Sequence, residues 1–251
     1  MKTKQFDAAS TQRLYTAIDN NDVREFQAMT DAGYPVATAS FGGEEWKKTT
    51  LMMLVDRPDA QLASVKKLIE LGSRLDAVDS YNRTPLHIAA GNSDNNPQIQ
   101  SKIIAYLVRM GANLEVRDNG GEKPIDCAKD SDLFTATIMQ AETYRKNMMK
   151  AIRGDITRDF LGSKEKKDVV EGVINKAIKQ RMEDDAAYER TINEINERMG
   201  GNFVDKLAKA RAGQTTANPI MASLVANEGG FAGAVLKQQE EKKQQKCCVI
   251  T

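Results

Sequence analysis

Three cysteines and one histidine serve all 251 residues, and these two scarcities exclude more function classes than any feature that is present. A disulfide framework needs more thiols than Cys127, Cys247 and Cys248 supply. A lone His87 argues against Ser–His and Cys–His nucleophilic sites and against histidine-rich metal sites. No catalytic residue, metal ligand or cofactor is therefore expected. Net charge is also nearly absent: 36 Lys and Arg stand against 35 Asp and Glu, for a formal charge of +1. That balance removes a global attraction to nucleic acid or to a broadly anionic membrane, and no nucleic-acid partner is expected. Long apolar runs are missing too. Residues 1–30 hold no stretch of signal-peptide length, and no segment reaches the roughly 18 apolar residues that span a bilayer. Any membrane affinity must come from a local feature.

The most informative segment is Thr84-Pro85-Leu86-His87-Ile88-Ala89-Ala90. Threonine can cap a helix through its hydroxyl, and proline is tolerated in the first turn because its missing N–H needs no partner there. A second apolar helix follows through Ile103-Ile104-Ala105-Tyr106-Leu107-Val108 and stops at Gly111, a residue suited to the left-handed closing position. This heptapeptide resembles the ankyrin-repeat signature T-P-L-H-x-A-A. The resemblance implies an all-α solenoid of stacked helix pairs, in which Thr84, Pro85, Leu86, His87, Ala89 and Gly111 are structural. His87 would then be hydrogen-bonded near Thr84, with no role as ligand or base.

Neighbouring units follow at matching offsets. Leu71-Gly72-Ser73-Arg74-Leu75 echoes Met110-Gly111-Ala112-Asn113-Leu114, and Thr49-Thr50-Leu51-Met52-Met53-Leu54 fills the signature slot without proline or histidine. Ala32-Gly33-Tyr34 closes an earlier pair, and Lys123-Pro124-Ile125-Asp126-Cys127-Ala128 fills the slot with lysine for threonine. About four units are expected over residues 10–144. The spacing exceeds the family's roughly 33 residues, with polar or glycine-rich insertions at Asn92–Pro97 and near Phe41-Gly42-Gly43. Phe134, Ile138, Ala141, Met148 and Ile152 share one helical face, as a capping helix would show. A helical extension is expected over 145–200. Its stripe at Tyr188, Ile192, Ile195 and Met199 would pack back on the repeats or pair with a partner helix. Residues 201–251 read as a flexible linker and tail.

The chain ends Cys248-Val249-Ile250-Thr251, which fits the C-a-a-X prenylation pattern. Cys248 is the candidate prenyl site, which makes a prenyltransferase an expected partner. One lipid gives only marginal membrane residence. Lys237, Lys242, Lys243 and Lys246 are partly cancelled by Glu240 and Glu241, so Cys247 becomes the candidate for a second, S-acyl anchor; the alternative is a chance duplicate. The small polar Thr251 favours farnesyl over geranylgeranyl.

Three residues before the threonine slot of successive units stand Trp46, Tyr81 and Gly120. Trp46 and Tyr81 are the candidate protein-binding residues, since aromatics in series offer large contact area at small entropic cost. The alternative is that they pack on each other. The expected function is a protein-binding adaptor held on the cytoplasmic side of a eukaryotic membrane by its lipid, with the protein partner unidentified. The combination of parts resembles effectors that intracellular bacteria deliver into host cells. The alternative is an enzyme or enzyme modulator in residues 145–235 whose target the repeats select, although that region holds no histidine and no phosphate-cradling loop.

Overall fold

The computed structural model describes residues 4–42, 47–92, 96–128, 131–160 and 167–198. It is predominantly helical, with nine helices among the described residues. Three helix pairs lead: α1 (Ala8–Asp19) with α2 (Val23–Asp31), α3 (Thr50–Val55) with α4 (Leu62–Glu70), and α5 (Pro85–Gly91) with α6 (Pro97–Met110). The first helices pack in the order α1, α3, α5 and the second helices in the order α2, α4, α6.

Each pair starts and stops on local chemistry. Asp7, Asp22, Thr49, Thr84 and Asn96 accept backbone N–H groups at the starts of α1, α2, α3, α5 and α6, satisfying donors that a helix leaves without partners. Gly33, Gly72 and Gly111 follow α2, α4 and α6 with φ of 92°, 101° and 100°, the left-handed conformation that closes a helix without a Cβ penalty. They recur at one constant interval, so the three pairs share one repeat length.

Burial then locks one pair onto the next. Leu14 and Ile18 of α1, Leu51 and Leu54 of α3 and Leu86 of α5 are buried in the first-helix layer; Phe26, Met29, Leu68, Ile103 and Leu107 are buried in the second. Polar ties run between pairs. The Thr50 hydroxyl donates to the Val36 carbonyl at 2.6 Å, and Ser73 donates to Ala37 at 3.1 Å. Asn21, held at φ 52° between α1 and α2, accepts from the Gln61 N–H at 2.9 Å and donates to the Asp59 carbonyl at 3.1 Å. It therefore satisfies the Gln61 N–H at the start of α4, where Gln61 itself makes no side-chain cap.

The structure departs from the expected architecture in two places. Strands β1 (Ser40–Phe41) and β2 (Lys48–Thr49) form a short antiparallel ladder in the insertion after α2, pairing Ser40 with Thr49. Pro124–Cys127 is a turn, not the first helix of a fourth pair. Lysine lacks the hydroxyl that caps α3 and α5; instead Asp126 folds back and accepts the Lys123 N–H at 3.0 Å. Residues 144 and 145 both lie in α7 (Ser131–Phe160), whose Phe134, Ile138, Ala141 and Tyr144 are buried.

Helix α7 packs on α6, and α8 (Lys167–Glu183) packs on both. The Tyr144 hydroxyl donates to the Arg181 carbonyl at 3.4 Å, tying α7 to the end of α8. A break at Asp184 separates α8 from α9 (Asp185–Arg198). Residues 1–185 form one compact unit, and residues from Ala186 onward belong to a second. The 201–251 tail lies outside the described residues. No helix among the described residues is long and apolar enough to cross a membrane.

Candidate protein-binding face

The loops that precede α5 and the Pro124–Cys127 turn are built alike. In the first, the Asp79 N–H donates to the Arg83 carbonyl at 3.0 Å, and Asp79 Oδ1 accepts the N–H groups of Tyr81 and Arg83, both at 2.9 Å. In the second, the Asp118 N–H donates to the Glu122 carbonyl at 2.9 Å, and Asp118 Oδ1 accepts from Gly120 and Glu122, both at 2.9 Å. Each loop turns through one residue of positive φ at the same offset, Asn82 at 60° and Gly121 at 78°. An aspartate two residues before the tip thus replaces a backbone partner and fixes the turn.

The loops are bonded to one another. Asn119 donates its backbone N–H to the Tyr81 carbonyl at 2.9 Å and its side-chain amide to Ser80 at 3.2 Å; Asn82 returns a bond to the Arg117 carbonyl at 2.6 Å. On the other side, the Lys47 N–H donates to the Ser80 hydroxyl at 2.9 Å. These bonds give a continuous, rigid edge. On it Tyr81 is 43 % exposed and Val78 41 % exposed, with the Arg83 guanidinium 5.0 Å from the Tyr81 ring centre. A pre-ordered aromatic beside an arginine is the composition that interface anchors favour.

Tyr81 is thus placed on an open surface, whereas Trp46, the other candidate, lies outside the described residues, as do Cys247 and Cys248. Behind the edge, Thr84, Pro85, Leu86, His87 and Ala89 are buried. Thr84 caps α5, with Pro85 in its first turn. His87 Nδ1 accepts the Thr84 N–H at 3.1 Å, and Nε2 lies 3.2 Å from the Glu122 carbonyl. Since Nδ1 accepts and a carbonyl can only accept, the proton sits on Nε2 and the ring is neutral. Burial lowers its pKa, against the opposing pull of the Glu122 carbonyl and of Asp118 and Asp79. Sequence reasoning missed Asn82 and Asn119, the two amides that tie the loops; the recurring aspartate was their nearest signal.

Asp118, Glu122 and Cys127 also bring ligand-type atoms within 4.8 Å of one another. Their chemistry is that of the turn: Asp118 Oδ1 is taken by two N–H groups. Burial, with the carboxylates nearby, pushes the Cys127 thiol up to about 11.

Residues 81–119, the segment holding this edge with α5 and α6, match the ankyrin repeat family. The chain matches that family over this one segment. It is 38% identical over 91 residues to an ankyrin repeat protein of Acanthamoeba polyphaga mimivirus, a match covering 34% of this chain and 12% of that relative's length.

Proposed function

We propose that this protein is a non-catalytic adaptor. Its hairpin edge and first-helix face hold a protein partner, and a prenyl group on Cys248, supported by an S-acyl group on Cys247, holds the complex at the cytoplasmic face of a eukaryotic membrane. The observation that carries the binding half is the exposed Tyr81–Val78 pair on an edge whose loops are bonded to each other. Little conformational entropy remains to be lost when a partner docks there. The anchoring half rests on Cys248-Val249-Ile250-Thr251, which at a free C-terminus is a prenyltransferase substrate. Recruitment then raises the partner's effective concentration near other membrane proteins. In a chain of bacterial origin, the same parts would make it an effector that uses the host's lipidation enzymes.

Two readouts test the halves separately. Tyr81→Ala together with Val78→Asp is expected to abolish capture of cytosolic partners while leaving the urea midpoint within the scatter of ordinary surface substitutions, about 0.5 kcal/mol. Cys248→Ser is expected to move a tagged chain from the membrane to the soluble fraction and to remove an isoprenoid mass from its C-terminal peptide. Unchanged capture overturns the first half; an unmodified wild-type peptide overturns the second.

A further inference from the structure

Two cations on consecutive second helices converge on one carboxylate far along the chain. Lys66 of α4 donates to Asp185 Oδ2, and Arg109 of α6 donates to Asp185 Oδ1. Both cations also lie on the ring of Tyr106, with Lys66 Nζ 5.2 Å and Arg109 Cζ 5.3 Å from its centre. Tyr106 is buried, and burial lifts its phenol to about 12, so the ring carries no charge of its own. Arg109 is 2 % exposed and stands in the last turn of α6. A guanidinium so enclosed is costly unless paired.

We propose that Lys66, Tyr106 and Arg109 form a carboxylate-binding site on the second-helix face of the repeats, and that Asp185 occupies it as a built-in ligand that latches α8 onto α6. One oxygen meets each cation while the ring supports both, an arrangement that suits a planar carboxylate. The latch follows from the burial. Without Asp185, Arg109 loses the carboxylate that offsets part of the cost of its enclosure, and undocking α8 rehydrates it. The site is thus a switch whose ligand is a carboxylate, supplied here by the chain itself.

The full-length chain tests this by amide hydrogen exchange, read over residues 175–183 of α8 and over α1 to α3. Asp185→Ala is expected to speed exchange in α8 about tenfold, a local opening that leaves α1 to α3 as protected as in the wild type. Sodium formate is expected to restore α8 protection saturably, where sodium chloride at the same ionic strength does not. Because Asp185→Ala could loosen the chain more widely, Lys66→Met supplies a second arm. It keeps the aliphatic stem and is expected to speed α8 exchange in the wild type but to add nothing to Asp185→Ala. Unchanged α8 exchange in Asp185→Ala overturns the latch. Rescue by formate no greater than by chloride overturns the carboxylate site, as do additive effects of the two substitutions.

Discussion

His87 and Glu122 join one repeat to the loop of the next: the imidazole Nε2–H of α5 donates to the Glu122 carbonyl across 3.2 Å while Nδ1 takes the Thr84 N–H at 3.1 Å. The Thr84 bond requires the neutral ring, because a protonated Nδ1 can no longer accept, whereas the Nε2–H donates to Glu122 in either state. Burial holds the folded-state pKa below the ordinary 6.5, so at mildly acidic pH the unfolded chain binds a proton that the folded chain refuses. Stability should be full above about pH 6.5 and fall as pH drops toward the folded-state value. Urea midpoints at pH 7.5 and 5.5 check this. His87→Ala should lower stability by about 1–3 kcal/mol at pH 7.5, through the unpaired Thr84 and Glu122 groups it leaves, and should shrink the difference between the two pH values.

The start of α3 tests which part of the signature stabilises. Thr49 and Thr84 cap α3 and α5 in the same way, but the atom reaching back to the threonine N–H is the Met52 sulfur at 3.4 Å in one and His87 Nδ1 in the other. Sulfur is a weak acceptor. Thr49→Ala and Thr84→Ala should each cost about 1 kcal/mol through the lost cap. Met52→His, by contrast, should gain nothing unless an acceptor faces its second nitrogen. Thermal unfolding of the three variants separates these outcomes.

Gly111 and Gly91 predict opposite signs for one substitution. Gly111 sits at φ +100°, and a Cβ there would lie 3.3 Å from Arg145 Nη2. Gly91 ends α5 in helical conformation with nothing within 4 Å of an added Cβ. Gly111→Ala should destabilise by about 1 kcal/mol or more, and Gly91→Ala should be neutral or stabilise by about 0.5–1 kcal/mol. Urea unfolding monitored by far-UV circular dichroism gives both numbers.

Local features of the chain were the readable ones. Thr84, Pro85 and Gly111 act within a few residues of themselves, through a cap, a first-turn proline and a left-handed closure, so their spacing alone points to a helix pair. The Lys123 slot misled because proline at the second position looks like a helix start, while the missing hydroxyl removes the cap that α3 and α5 depend on. Asn82 and Asn119 were hidden because their bonds reach the adjacent loop. Asp185 was hidden further still: its partners Lys66 and Arg109 lie 119 and 76 residues earlier. In the sequence it reads as the end of an acidic run on a solvated helix.

Cys127 should be a poor nucleophile. Burial first, then the charges of Glu122 and Asp118, raise its thiol to about 11 from the ordinary 9.0, which cuts the thiolate fraction at neutral pH about a hundredfold. Alkylation by N-ethylmaleimide at pH 7.5, followed on the Cys127 peptide by mass spectrometry, should be slower in the native chain than in urea by a similar factor. Equal rates would mean that the Pro124–Cys127 turn opens faster than the reagent attacks.

Asp185 titrates in a different window from His87, and the two should therefore separate along an acid titration. Burial raises the Asp185 pKa, but the hydrogen bonds from Lys66 and Arg109, with their charges, outweigh it and hold the carboxyl below the ordinary 3.8. The folded-state value is thus depressed, so this contribution is full above the unfolded pKa and is lost only as pH falls through the folded one. Of the groups around it, Tyr106, its phenol lifted to about 12 by burial, stays neutral throughout this range. Between pH 7.5 and 5 the His87 contribution should fade while α8 keeps its hydrogen-exchange protection. Loss of α8 protection should begin only below about pH 4, and in Asp185→Ala that acid step should vanish while the His87 step remains. If α8 loosens together with His87 protonation, the two sites are one cooperative unit and the latch has no titration of its own.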